Sequence, residues 1–279
     1  MFPADPREER MHLSTEHISL GYDRTTMVVD DLCLEIPHGR ITALIGPNGC
    51  GKSTLLRGLT RLLKPSSGTV LLEGTDIHRL GSKELARKLG LLPQTPLAPG
   101  GITVAELVGL GRAPHQGWLS RNSDADRRAV ERAMELTRTT ELSHRAVDEL
   151  SGGQRQRVWV AMVLAQETGV LLLDEPTTFL DMAHAVEVLD TISDLNLTHE
   201  CTVIMVLHDL NLAARYADHL VAMVDGKLVA QGTPAEVLTE RLLASAFSLT
   251  SRVIIDPVSQ TPLVVPVGRT RITTVGGAA

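Results

Sequence analysis

Aromatic residues are nearly missing from this chain: three Phe, two Tyr and two Trp among 279 residues, or 3%. A ring-stacked core is thereby excluded, and Leu, Val, Ile and Ala must fill the interior. Cysteine is equally sparse. Cys33, Cys50 and Cys201 are odd in number and share no metal-ligand spacing, which excludes a disulfide framework and fits a reducing compartment. No apolar run approaches the ~18 residues of a membrane span. The segment from Met1 to Arg10 is polar and proline-bearing, with no apolar signal region. Excess positive charge is missing too: the formal charge is −6, which argues against non-specific nucleic-acid binding. Neither an internal repeat nor a low-complexity tract is found. The expectation is a cytosolic chain with one sizeable core, or one core and a small subdomain, tied to any membrane only through other proteins.

Hydrophobic patterning divides the chain. Strands are expected at 13–22 and 28–36 with a polar break between them, which suits an antiparallel hairpin-like entry, then at 40–45, 69–73 and 89–93. Residues 52–63 have helical spacing, with Leu55, Leu59, Leu62 and Leu63 on one face. From 94 to 168 the character is helical, with helices at 103–112 and 123–137 and a third starting within 152–157; the Pro/Gly-rich stretch 96–101 reads as its hinge. Strands return at 170–173, 202–207 and 220–224, alternating with helices at 183–195 and 210–217, the pattern of a parallel core. The expected organisation is a disordered tail over 1–12 and a single domain over 13–279. Within that domain, 13–93 and 169–231 form an α/β core with an antiparallel β subdomain, 94–168 an inserted helical subdomain, and 232–279 a C-terminal extension.

Gly46-Pro47-Asn48-Gly49-Cys50-Gly51-Lys52-Ser53-Thr54 is a complete G-x4-G-K-S/T phosphate loop, placed after a strand and opening a helix. Its glycines let backbone N–H groups wrap a β-phosphate, and the helix N-terminus adds a favourable dipole. Lys52 is expected to bridge β- and γ-phosphates and the Ser53 hydroxyl to ligate Mg²⁺. Asp174 and Glu175 follow the apolar strand 170–173, at the carboxyl end where doubly wound sheets place ligands. Asp174 is expected to hold Mg²⁺ through water, and Glu175 to orient or deprotonate an attacking water.

Ser151-Gly152-Gly153-Gln154 follows Leu150 to complete LSGGQ, upstream of Asp174-Glu175-Pro176. With this motif the chain resembles the ATP-binding cassette (ABC) ATPases over nearly its whole length. The resemblance implies an α/β P-loop cassette with a mainly parallel core sheet, an antiparallel β subdomain and a helical insertion, with ATP and Mg²⁺ as cofactors. It also implies a second copy of the chain, because in that family LSGGQ closes on ATP held by another subunit. By position, Gln94 matches the family's Q-loop glutamine, sensing Mg²⁺ and water, and His208 the switch histidine that contacts the γ-phosphate. Asp181 matches the loop that signals across the dimer, although Phe179 stands where the family commonly has Ser, which puts a Ser-mediated contact in doubt. Tyr22 matches the aromatic that stacks on adenine. The remaining histidines, including His115, His184 and His219, show no metal-ligand spacing and are expected at the surface.

The chain has no fused membrane spans, tandem cassettes or long coiled-coil insertion, and its tail is too short for a regulatory barrel, so a separate importer subunit is expected. Gly111 to Gly117, Thr177 to His184 and the late Asp256 to Pro266 resemble segments of ferric-siderophore importer ATPases, with haem and cobalamin importers as close relatives. The resemblance implies an ATPase that energises uptake of an iron–siderophore or related iron/haem complex. Its place would be peripheral, on the cytoplasmic face of the inner membrane, docked on permease subunits and served indirectly by a substrate-binding protein, with no nucleic acid. The surface from Gly111 to Trp118 is expected to receive the permease. Importers of cobalamin or another metal chelate, and a soluble non-transport ABC regulator, remain the alternatives.

Overall fold

The computed structural model describes residues 13–23, 26–117, 123–178 and 180–268. The expected tail over 1–12, Trp118, Phe179 and the end of the extension lie outside the described residues. In chain order the elements are β1 (Leu13–Gly21), β2 (Met27–Ile36), β3 (Ile41–Ile45), α1 (Lys52–Leu59), β4 (Ser67–Leu72), β5 (Thr75–Asp76), α2 (Ser82–Lys88) and β6 (Leu89–Leu92). Next come α3 (Val104–Leu110), α4 (Asp124–Leu136), α5 (Gly152–Ala165), β7 (Val170–Leu173), α6 (Met182–His199), β8 (Thr202–Val206), α7 (Leu210–Tyr216) and β9 (His219–Val224). The chain continues through β10 (Lys227–Gly232), α8 (Pro234–Val237), α9 (Glu240–Phe247), β11 (Ser251–Ile255) and β12 (Pro262–Pro266).

The main sheet has the order β10-β9-β3-β8-β7-β6, parallel except for β10 at its edge. Every residue of β3, β7 and β8 is buried, as a parallel sheet covered on both faces requires. Successive side chains on these strands serve opposite cores. Leu44, Leu172, Ile204 and Val206 face one cluster, where α1 supplies Leu55, Leu56 and Leu59 and the second sheet supplies Leu13, Ile18, Leu20 and Leu34. Ala43, Ile45, Leu171, Leu173, Val203 and Met205 face the other, against buried residues of α3, α5, α6 and α7. That second sheet, β2-β1-β4-β5, is wholly antiparallel. The interior is aliphatic, as the shortage of rings demands.

α3, α4 and α5 each begin at a capping box: Thr103 with Glu106, Ser123 with Asp126, and Ser151 with Gln154. Each box satisfies N–H groups that a helix start leaves unpaired. Arg112, just past α3, is buried and pins the group together. Its guanidinium donates to Asp126 Oδ1 at 2.9 Å, to the Ala165 carbonyl at 2.7 Å and to Glu167 Oε2 at 2.8 Å. The Arg112 guanidinium, aided by Ser123, holds the Asp126 carboxyl below its usual range.

Several elements differ from expectation. The helix from Lys52 ends at Leu59, not at 63, because Arg61 adopts a left-handed φ of 62° while its guanidinium donates to the carbonyls of Ile77 and Leu80. Leu62 is consequently 67% exposed. α2 was not anticipated: Leu85 is its one buried residue, so the segment carries little periodicity. β10 was also missed, although Asp225-Gly226, both at positive φ (47° and 77°), form the turn a tight hairpin favours.

Candidate functional site

β3, β8, β7 and β6 are neighbours running in one direction, so their carboxyl ends form a row. The phosphate loop follows β3, His208 follows β8, Asp174-Glu175 follows β7 and Gln94 follows β6. With neighbouring strands ~4.8 Å apart, the row spans about 14–15 Å. Val28, Asn48, Gly49, Gly51, Lys52, Ser53, Thr54, Gln94, Glu175 and His208 line a cavity of about 440 Å³ along it. A larger cavity of about 660 Å³ lies between α4, α5, α6 and the start of β7, its lining mixing aliphatic side chains with Arg132, Glu167, His199 and Glu200, and it is remote from the phosphate loop.

The loop needs glycine at two places in particular. Gly51, at φ 104°, turns the chain into α1 with no side-chain cap, so first-turn N–H groups are left for an anion. Gly46 is also at positive φ, and a Cβ there would sit 2.2 Å from the Met223 carbonyl oxygen. Lys52 is buried, and its Nζ donates to the carbonyls of Gly46 at 2.8 Å and Pro47 at 2.9 Å, which hold the ammonium over the loop. Cys50 is buried with its Sγ 3.8 Å from Lys52 Nζ, and is not among the lining residues. Gly46 and Pro47 are likewise outside the lining.

Ser53 Oγ donates to Asp174 Oδ1 at 2.9 Å. Burial raises the Asp174 carboxyl above its usual range in spite of that bond. A hydroxyl beside a carboxylate is a hard-oxygen donor pair of the kind Mg²⁺ takes, and a cation would remove the penalty that burial imposes on Asp174. These residues fit the ion. Glu175 stands at φ 54°, a left-handed conformation that costs a non-glycine residue on the order of 1–3 kcal/mol. The turn carries its carboxyl to where His208 Nε2 reaches Oε1 at 2.6 Å and the Thr178 hydroxyl donates to Oε2 at 2.8 Å. Burial pushes this carboxyl upward, but the hydrogen bonds from Thr178, His208 and Gln94 together outweigh it, and the net shift is downward. Glu175 is therefore an ionised carboxylate at neutral pH, able to accept a proton or a hydrogen bond from water.

Thr178 was missed by sequence reasoning. A hydroxyl three residues past the carboxylate, on the same turn, was the signal. Tyr22 stands beside the cavity, not in its lining: the side chain is 58% exposed, its hydroxyl is 3.3 Å from Thr54 Oγ1, and Arg57 donates to it at 2.9 Å. Ser151, Gly152, Gly153 and Gln154 are not brought to the cavity either. They form the first turn of α5, with Ser151 and Gly152 exposed and no atom within 4 Å of a Cβ built on Gly152. Asp181 is the N-cap of α6, accepting from His184 N at 2.9 Å and lying 2.8 Å from its Nδ1.

Two of the histidines expected at the surface have structural partners, and a third is half-buried. His115 Nε2 lies 2.7 Å from the Gln166 carbonyl oxygen. His184 lies against Gly153. His219 is half-buried at the start of β9, and burial lowers its pKa below the ordinary 6.5.

A phosphate loop, two strand-end carboxylates and a histidine on one sheet edge, with an LSGGQ helix start outside their cavity, define an ATP-binding cassette. Comparison with known proteins agrees: the ABC transporter family's sequence profile matches residues 29–178. The chain belongs to this family and is one of its ATPases. Among curated relatives, it is 54% identical to the achromobactin transport ATP-binding protein CbrD of Dickeya dadantii (strain 3937), covering 92% of this chain and 95% of that one. It is 53% identical to the ferric enterobactin transport ATP-binding protein FepC of Escherichia coli (strain K12), covering 94% and 97% respectively. Among solved structures, the dimeric bacterial ABC transporter cassette MJ0796 superposes with a TM-score of 0.71 at 25% identity, over 80% of this chain and 98% of that one.

Proposed function

We propose that this chain is the ATP-hydrolysing subunit of an importer for an iron–siderophore or related iron/haem complex. The observation that carries the ATPase half is the 440 Å³ cavity, where Lys52, Ser53, Gln94, Glu175 and His208 converge from four adjacent strand ends. Likeness at 53–54% identity to two siderophore-transport subunits over nearly the whole chain supports the cargo.

In this reading the amides of Gly46 to Thr54 wrap the phosphates, Lys52 bridges the β- and γ-phosphates, and Tyr22 stacks on adenine. Ser53 and Asp174, with Gln94, would hold Mg²⁺, which neutralises phosphate charge when bound. Glu175 accepts a proton from the water whose oxygen bonds to the γ-phosphorus, and the bond to the β–γ bridging oxygen breaks. His208 donates to the γ-phosphate. Ser151 to Gln154 and Asp181 lie outside their own chain's cavity, so a second copy presents them to this nucleotide and receives the same in return. The dimeric relative supports that arrangement.

Among the described residues no helix is long and apolar enough to cross a membrane. In this reading attachment to the cytoplasmic face runs through permease subunits, with an external substrate-binding protein delivering cargo. We assign 94–168 as the subdomain that moves with nucleotide, and its segment from Gly111 to Gly117 as part of the permease contact.

Mild detergent extraction of host membranes tests the reading. The chain should emerge bound to a polytopic protein, and its deletion should abolish ferric-siderophore uptake. Purely soluble recovery together with intact uptake would contradict it.

A further inference from the structure

His184 touches both parts of the chain that the proposed dimer sends across to the other copy. Its Nδ1 lies 2.8 Å from Asp181 Oδ1, and the same oxygen accepts its backbone N–H at 2.9 Å. On its other side the ring lies against Gly153, where a Cβ would stand 3.0 Å from His184 Cδ2 and 3.2 Å from Cγ. That approach is closer than an ordinary van der Waals contact, so a residue larger than glycine at 153 would displace the ring. One helical turn further along α5, Arg157 donates to Glu187 of α6 at 3.4 Å, a second tie between the same two helices. An imidazole serving only the cap of α6 would account for the Asp181 contact but not for the seat on Gly153.

We propose that His184 is a positioning residue that clamps the Asp181 loop to the first turn of α5, so that both advance on the partner copy's nucleotide as one unit. The inference rests on the sandwich-dimer reading above. His184 touches neither nucleotide nor water in this scheme. Its work is to make the Asp181 loop and the first turn of α5 share one trajectory. Closure then orders one body instead of two, which lowers the entropic cost of closing the site.

The test uses the chain assembled with its permease, measuring hydrolysis against ATP concentration. His184→Ala should raise the ATP concentration for half-maximal hydrolysis about tenfold, the scale of one lost hydrogen bond to a charged group, and should draw the Hill coefficient toward one. Binding of a fluorescent ATP analogue to the isolated chain, which reads its own phosphate loop, should stay as in wild type, as should the thermal midpoint. A merely structural role would move the midpoint and the intrinsic binding together. His184→Asn keeps an N–H donor near the Nδ1 position and should recover part of the loss; it carries the same test if the alanine variant does not fold. Gly153→Ala should be less damaging in the His184→Ala background than in wild type, because the new methyl then has room.

Wild-type half-saturation and Hill coefficient in His184→Ala would overturn the proposal, as would losses from Gly153→Ala and His184→Ala that simply multiply. If wild type itself shows neither cooperativity in ATP nor ATP-dependent pairing, the sandwich reading falls and takes this inference with it. If wild type shows both and His184→Ala matches it, the inference alone falls.

Discussion

Glu175 concentrates the chemistry of the site in one side chain. Its left-handed backbone, its three hydrogen-bonding neighbours and its depressed pKa are consequences of a single turn at the end of β7. Replacing it with Gln keeps the shape and removes the proton acceptor. Glu175→Gln should lower steady-state phosphate release by ~10²–10⁴ while ATP still binds, as followed by radiolabelled nucleotide retention. Wild-type release rates would remove Glu175 from its role. The carboxylate itself was legible in the sequence, because a phosphate loop and a strand-end acidic pair are local patterns with fixed spacing. Thr178 and His184 were not. Each gains its meaning from a contact made by a turn or by a second helix, and residue order alone leaves such a hydroxyl or imidazole indistinguishable from a surface group.

Among the elements, the helical stretch shows how one buried cation can organise several segments. Arg112 links the end of α3, Asp126 in the first turn of α4 and the end of α5, with only 6% of its side chain exposed. Arg112→Met would leave the Asp126 carboxylate buried without its cation, and breaking such a pair costs about 3–5 kcal/mol. Denaturant unfolding should show a loss of that size, and a loss below ~1 kcal/mol would mean that the pair contributes little. The helices at 103–112 and 123–137 were readable from their spacing, and the structure adds that each starts at a capping box, Thr103 with Glu106 and Ser123 with Asp126. α2 was unreadable because Leu85 alone anchors it. Arg112 lay within a helix assigned over 103–112, but its burial follows from α4 and α5 closing over it. Nothing in the local pattern reports that.

On the scale of the whole molecule, the two aliphatic cores on either side of the main sheet explain why an aromatic-poor chain can hold a wide row of strand ends rigidly in place. The parallel core followed from the alternation of strand and helix signals, and the antiparallel pairing of β1 with β2 from the polar break between them, while the strand order did not. The β10 edge was missed, since its apolar run is only Leu228 to Ala230 and none of its six residues is buried. What the molecule does not do is bring its own LSGGQ turn to its own phosphate loop. That separation is the reason for placing a second copy at the centre of the mechanism. Sedimentation equilibrium of Glu175→Gln with Mg²⁺ and saturating ATP tests it most directly. The account predicts an ATP-dependent rise from one chain of 30.1 kDa to roughly twice that mass, as bound nucleotide closes the sandwich. A mass that stays at a single chain while each chain holds its ATP would contradict it.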